Sequence, residues 1–106
     1  MADFVIDVKP EHWRIVESIL RAHLPSGTKV WIFGSRAKNK ARKFSDLDLI
    51  LEATQPLSIH ILADMASDFE DSDLPYKVDL VDWVTASSSF KEAIISQRAD
   101  VTHQVF

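Results

Sequence analysis

The chain has 106 residues, 46% of them hydrophobic, and a formal net charge of −4, which is typical of one packed globular domain. No apolar run approaches the length of about 20 residues that is needed to cross a bilayer, and the first residues lack the basic region and long apolar stretch of a signal peptide. The sequence contains no cysteine that could form a disulfide or a thiolate metal site. We therefore expect a single domain over residues 1–106, in the cytoplasm, without membrane association. Its acidity argues against direct nucleic-acid binding.

The first half of the chain predicts one helix and two strands. Residues 4–8 alternate too briefly to distinguish a strand from an ordered arm. Pro10 suits the first turn of a helix, and apolar residues then recur at helical spacing over residues 10–24. Residues 29–33 form a β-branched and aromatic strand that ends at Gly34, and residues 46–52 alternate as a second strand.

Between these strands lies a basic segment. Residues 35–40 form a short helix, or residues 38–43 form a mobile loop; the sequence fits both. Five of the twelve Lys and Arg residues fall here, namely Arg36, Lys38, Lys40, Arg42 and Lys43. Their charges are expected to stay in water.

The second half predicts two helices and a strand. Pro56 and Ser58 introduce a helix whose apolar stripe ends before the acidic turn 68–73, and residues 78–83 form a third strand. Ser89 and Glu92 have the spacing of a capping box that opens a last helix towards Gln97. This order predicts an α+β domain with its helices on one face of a sheet.

Asp46 and Asp48 are the first candidate site residues. Two positions apart on a strand, they project from one face with Cα atoms roughly 7 Å apart, close enough to share divalent cations. Mg²⁺ commonly uses one or two carboxylates together with substrate phosphates. Gly34 allows a phosphate to approach the backbone, and Ser35 offers a hydroxyl and N–H groups to an anion.

A third acid on the last strand would complete a site for two metal ions. Asp79 is the candidate and Asp82 its competitor. Three positions separate them, so a regular strand turns them to opposite faces and at most one joins the acid pair. A structural role is favoured for Asp82.

Gly34-Ser35, ten residues, Asp46-Leu47-Asp48 and the later acid in Val78-Asp79-Leu80-Val81 together resemble the minimal nucleotidyltransferases of the DNA polymerase β-like superfamily. The resemblance spans most of the chain. It implies the nucleotidyltransferase fold, with a small mixed β-sheet and helices packed mainly on one face.

The same resemblance implies the chemistry. Asp46, Asp48 and Asp79 would be catalytic ligands of two Mg²⁺ ions, with Asp79 helping to activate a hydroxyl. Gly34, Ser35 and Arg36 would bind the nucleotide, although the roles of single basic residues stay open. The hydroxyl would attack the α-phosphate of ATP and release pyrophosphate.

The chain is too short to hold the base and the acceptor as well. A dimer mate or a separate protein supplies part of the pocket, or the partner is itself the substrate. The resemblance implies a small helical HEPN protein as partner, and hence an antitoxin that transfers AMP to a tyrosine of a HEPN RNase toxin. The alternatives are a non-catalytic binding antitoxin with a vestigial nucleotide site, and a nucleotidyltransferase for small molecules such as aminoglycosides.

Overall fold

The computed structural model describes residues 7–38 and 40–106, which contain three helices and four strands. In chain order these are α1 (Pro10–His23), β1 (Lys29–Phe33), β2 (Leu47–Glu52), α2 (Ile59–Glu70), β3 (Val78–Asp82), α3 (Ser88–Ile94) and β4 (Ala99–Asp100). Short 3-10 turns follow β3 at Trp83–Thr85 and β4 at Thr102–Gln104. In these described ranges no helix is long and apolar enough to cross a membrane.

The four strands form one sheet in the order β3-β2-β1-β4. β1 is antiparallel to both β2 and β4, whereas β2 and β3 are parallel. The sheet is therefore mixed, and the predicted α+β fold is confirmed. β4 escaped prediction because two residues, Ala99 and Asp100, are too few to show an alternating pattern.

One face of the sheet carries the hydrophobic core. Alternate residues of β2 point into it, and helices α1 and α2 cover it. Its fully buried side chains include Val16, Leu20, Val30, Ile32, Leu47, Leu49, Leu51 and Met65. Burying each such side chain stabilises the fold by roughly 1.5–3 kcal/mol. The alternation that buries the leucines of β2 turns its charged residues to the opposite face.

Part of the opposite face of the sheet is covered by a stack of side chains around Arg98, which lies near the end of the chain. The Arg98 guanidinium lies between the rings of Trp31 and Trp83, 3.7 and 4.2 Å from their centroids. Its Nη1 donates to Glu52 Oε1 at 3.0 Å, and Trp31 Nε1 donates to the same oxygen at 2.9 Å. Helix α3 is joined to β1 by an edge-to-face contact between Phe90 and Phe33.

Most predicted bounds agree with the structure within one or two residues, and the differences have local causes. The last helix is capped by Ser87, whose Oγ accepts the Phe90 N–H at 3.2 Å, so the predicted cap at Ser89 is wrong. That helix ends at Ile94 rather than near Gln97. Of the open prediction for residues 4–8, only Asp7 and Val8 are described, and they lie in a bend.

Asp82 ends β3 through its own side chain. Its carboxylate is buried, with Oδ2 accepting the Leu57 N–H at 3.1 Å and Oδ1 accepting the Val84 N–H at 3.3 Å. The second bond caps the 3-10 turn, which is why the strand stops before Trp83. Asp82 therefore joins β3 to the start of α2.

Replacing Asp82 tests this structural role. Asp82→Ala leaves the Leu57 and Val84 N–H groups without an acceptor, and we expect the free energy of unfolding to fall by about 1–3 kcal/mol in urea denaturation. Asp79→Ala, on the same strand but with a carboxylate 41% exposed, is the matched control and should cost less. Equal losses in the two variants would contradict the assignment.

Candidate active site

Asp48 and Asp79 meet on the face of the sheet opposite the core. β2 and β3 run parallel in a register that pairs these two residues directly. Neighbouring strands lie about 4.8 Å apart, so the two side chains leave the same face side by side. Asp46 lies exposed one residue before β2. The register thus brings the predicted third acid to the predicted pair.

The charges of the three acids act on one another. The pKa of Asp48 is raised from 3.8 to about 6, first by burial, then by the negative charges of Asp79 and Asp46, and finally by a hydrogen bond with Asp79. Each cause disfavours an additional negative charge at this point. A divalent cation is the natural group to neutralise such a cluster, and oxygen donors of this kind suit Mg²⁺.

The carboxylates are close, but they are not pre-assembled around one point. In the part of the chain described here, no three His, Cys, Asp or Glu side chains already have the arrangement of a metal site. Asp79 Oδ1 instead lies 3.6 Å from Lys77 Nζ. The backbone register pairs Asp48 with Asp79, and their side chains are already within hydrogen-bonding reach of one another, so the oxygen donors present suit the ion.

Gly34 lies directly against this cluster. Its φ is +79°, a backbone conformation that favours glycine, and a Cβ placed on it would lie 2.6 Å from Asp48 Oδ2. A phosphate-sized turn and an acid are therefore in contact, as the spacing predicted.

Ser35 begins a turn and not a helix. The Gly34 carbonyl accepts the Ala37 N–H, while the Ser35 carbonyl accepts the Lys38 and Lys40 N–H groups. Among the described residues 34–38 and 40, these bonds close one tight turn and include no i→i−4 bond. The alternative of a short helix is therefore wrong for residues 35–38, which form a structured turn.

The structure does not bring the Arg36 side chain to the acids. Arg36 is only 5% exposed, and its guanidinium donates to backbone carbonyls and stacks on Tyr76. These contacts give it a structural position inside the segment that joins the turn to the acids. The sequence analysis named Arg36 as a nucleotide-binding residue, but nothing in the sequence distinguishes its burial from the exposure of its four basic neighbours. Tyr76 belongs to no motif, so its contact with Arg36 was not predicted.

Asp82 stands apart from the site. In the parallel register it pairs with Leu51, a core residue, and so faces the helices. Its hydrogen bonds explain its burial without a metal ion.

Residues 16–104 match the family described as Polymerase beta, Nucleotidyltransferase. The chain belongs to this nucleotidyltransferase family. The resemblance inferred from the Gly-Ser turn and the acids is thereby confirmed, together with the enzyme class.

A curated relative and two solved structures are similar to this chain. The probable protein adenylyltransferase MntA of Haemophilus influenzae is 46% identical over 89 residues, which are 84% of this chain and 77% of MntA. A crystal structure of a toxin-antitoxin with AMP-PNP matches with a TM-score of 0.69 and 25% identity, over 83% of this chain and 70% of that one. A complex of tri-AMPylated Shewanella oneidensis HEPN toxin with its MNT antitoxin matches in fold, with a TM-score of 0.64 and 24% identity over 85% and 68% of the two chains.

The contact between Gly34 and Asp48 can be tested against a second glycine. Gly34→Ala and Gly27→Ala both place a side chain at positive φ, at a cost of about 1–2 kcal/mol each. Only Gly34→Ala also displaces a carboxylate, because nothing lies within 4 Å of a Cβ at Gly27. We expect weaker Mn²⁺ binding, followed by electron paramagnetic resonance, in Gly34→Ala alone. The same affinity in both variants would contradict the contact.

The raised pKa of Asp48 predicts a pH-dependent stability of the metal-free protein. The folded chain holds this proton up to about pH 6 and the unfolded chain only to about pH 3.8, so stability falls as the pH rises through that window. We expect Asp48→Asn to unfold at a higher urea concentration than the wild type at pH 7.5 in EDTA. The gain is about 1–2 kcal/mol after allowance for solvent screening. It should vanish near pH 3.5; a gain independent of pH would contradict it.

Proposed function

We propose that this nucleotidyltransferase acts as the antitoxin of a cytoplasmic toxin–antitoxin pair. It transfers AMP from ATP to a tyrosine hydroxyl of a small helical HEPN-type RNase and so blocks that toxin. The observation that carries the proposal is the register pairing of Asp48 with Asp79, beside Asp46 and against the Gly34 turn. The similarity to MntA and to the toxin-antitoxin structures supports the choice of a protein acceptor.

Each residue of the site has a role in this reaction. Asp46, Asp48 and Asp79 would hold two Mg²⁺ ions, which would supply neutralisation of the phosphate charge and stabilisation of the attacking and leaving oxygens. Gly34 and Ser35 bind the triphosphate through the close backbone of the turn and the serine hydroxyl. Together they fix the α-phosphate beside the acids, so that positioning and electrostatics supply most of the catalysis.

Asp79 is suited to receive the acceptor. Its carboxylate is 41% exposed and lies on β3, one of the two edge strands of the described sheet, where a protein substrate can approach. The tyrosine oxygen forms a bond to the α-phosphorus while the bond to the bridging oxygen breaks and pyrophosphate leaves. Asp79 helps the hydroxyl lose its proton as this bond forms.

The partner has a defined part in this proposal. The sheet and its helices supply the acids and the turn, and the partner supplies the surface that holds the acceptor in place. A HEPN-type partner that docks against the acid face would supply that surface and the tyrosine at once, in a hetero-oligomer. A second copy of the chain within this assembly is compatible with the same site.

The direct test is transfer of label from α-³²P-ATP to the HEPN-type partner in the presence of Mg²⁺. We expect the wild type to label the partner, and Asp46→Asn, Asp48→Asn and Asp79→Asn each to reduce the initial rate at least about 100-fold, because each removes a charged ligand. Asp64→Asn, which replaces an exposed acid of α2, is the matched control and should label normally. Undiminished labelling by the Asp46 and Asp48 variants would contradict the mechanism.

Rescue of cells from the toxin separates catalysis from occlusion. Loss of rescue in the same variants, with their folds intact by circular dichroism, supports AMP transfer. Full rescue by the variants would instead identify a binding antitoxin. Pyrophosphate release with an aminoglycoside but not with the partner would identify a small-molecule enzyme.

A further inference from the structure

We propose that Arg36 is a positioning residue: it holds the phosphate turn and the three acids in their mutual arrangement and does not bind the triphosphate. The proposal deepens the proposed function, on which its catalytic part rests. It assigns to Arg36 a role different from the nucleotide contact that the sequence resemblance implies.

The Arg36 guanidinium is fixed on several sides. Its Nε donates to the Ser45 carbonyl at 2.9 Å, and its Nη1 donates to the Asp7 carbonyl at 2.7 Å. Its Nη2 makes longer contacts of 3.5 Å with the carbonyls of Arg42 and Lys43. The central carbon lies 3.9 Å from the centroid of the Tyr76 ring.

These contacts connect the segments that carry the site. Arg36 directly follows the turn at Gly34 and Ser35. Ser45, which accepts the Nε–H, directly precedes Asp46, so this bond fixes the backbone from which the acid pair begins. Tyr76 lies three residues before Asp79. The Arg36 guanidinium thus contacts the chain next to the Asp46–Asp48 pair and near Asp79, and Arg36 itself follows the Gly34–Ser35 turn.

A second set of bonds supports the same arrangement. The Asp7 N–H donates to the Arg36 carbonyl at 3.1 Å, and Asp7 Oδ2 accepts the Ala41 N–H at 3.0 Å. The Leu47 N–H donates to the Lys77 carbonyl at 2.9 Å, which aligns the starts of β2 and β3. The Arg36 contacts therefore lie where the two acid-bearing strands enter the sheet.

Arg36 is also poorly placed to serve as a phosphate ligand. Turning its guanidinium outward would leave the carbonyls of Ser45 and Asp7 without their donor and would break the stack on Tyr76. Lys38, Lys40, Arg42 and Lys43 of the same segment are exposed and can meet an anion at no such loss. Of the five described basic side chains of this segment, Arg36 is buried and organises the backbone, whereas the other four are exposed to solvent.

The critical variant is Arg36→Lys. It keeps the charge but replaces a planar fork that serves several acceptors and stacks on a ring by a single ammonium group. A displacement of about 1 Å at a reacting centre can cost about 100-fold in rate. We therefore expect about tenfold weaker Mn²⁺ binding by electron paramagnetic resonance and about 100-fold lower kcat, with the KM for ATP changed less than threefold.

Two results with Arg36→Lys would overturn the proposal. A raised KM for ATP with unchanged kcat and Mn²⁺ affinity would make Arg36 a triphosphate ligand, and wild-type values throughout would make it dispensable. Because Mn²⁺ binding needs no partner and no turnover, it decides the question even if the wild type transfers no AMP. Failure of the proposed function and failure of this proposal are thereby distinguishable.

Matched variants separate positioning from general loss of stability. Leu20→Ala makes a cavity in the core beneath α1, away from the site, and should retain wild-type Mn²⁺ affinity at a temperature where circular dichroism shows it folded. Tyr76→Phe keeps the ring under Arg36 and loses only a hydroxyl without a hydrogen-bond partner in the described chain, so it too should bind normally.

Tyr76→Leu provides a test if Arg36→Lys does not fold. It removes the aromatic face but leaves the guanidinium and its carbonyl acceptors, so we expect a smaller loss of Mn²⁺ affinity and of kcat in the same direction. The proposal would be overturned if Leu20→Ala bound Mn²⁺ as weakly as Arg36→Lys and Tyr76→Leu do. It would also be overturned if Tyr76→Leu bound Mn²⁺ with wild-type affinity.

Discussion

The parallel pairing of β2 with β3 is the constraint on which the site depends. It places Asp48 beside Asp79, two groups that repel one another when both are charged, and burial of Asp48 strengthens the effect. The fold must stabilise this arrangement from elsewhere, since the carboxylates themselves oppose it. That support comes from the other face of the same strands, where the leucines of β2 are fully buried against α1 and α2.

The core and the candidate site therefore lie on the two opposite faces of β2, whose side chains alternate between them. Because side chains of a strand point alternately to its two faces, burying Leu47 and Leu49 forces Asp48 to the open face. A slip of the strand by one residue would bury the acid and expose the leucines, which is too unfavourable to populate. The hydrophobic core thus fixes the direction of the Asp48 and Asp79 carboxylates, while Gly34 lies against Asp48 and Arg36 donates to the carbonyl of Ser45 beside Asp46.

The sequence was sufficient for the features that rest on local pattern. Alternation and turn chemistry located β1, β2 and the Gly34 turn, and the two-residue spacing anticipated that Asp46 lies close enough for its charge to act on Asp48. The choice between Asp79 and Asp82 needed the inter-strand register, which no single strand contains. The burial of Arg36 could not be predicted either, because a sequence shows that a residue is charged but not which backbone carbonyls will surround it. The sequence pattern placed the start of the last helix at Ser89, whereas the structure caps this helix at Ser87, because the backbone conformation decides which serine accepts the Phe90 N–H.

The shared face of Asp48 and Asp79 has a consequence for how two substrates approach the acids. The reverse side of this part of the sheet carries the core, so ATP and a protein acceptor would reach the two carboxylates from the same side. On the proposed function, the nucleotide and the docked partner would therefore occupy neighbouring parts of one surface. A four-stranded sheet with one face committed to the core leaves its other face to serve both substrates of the reaction.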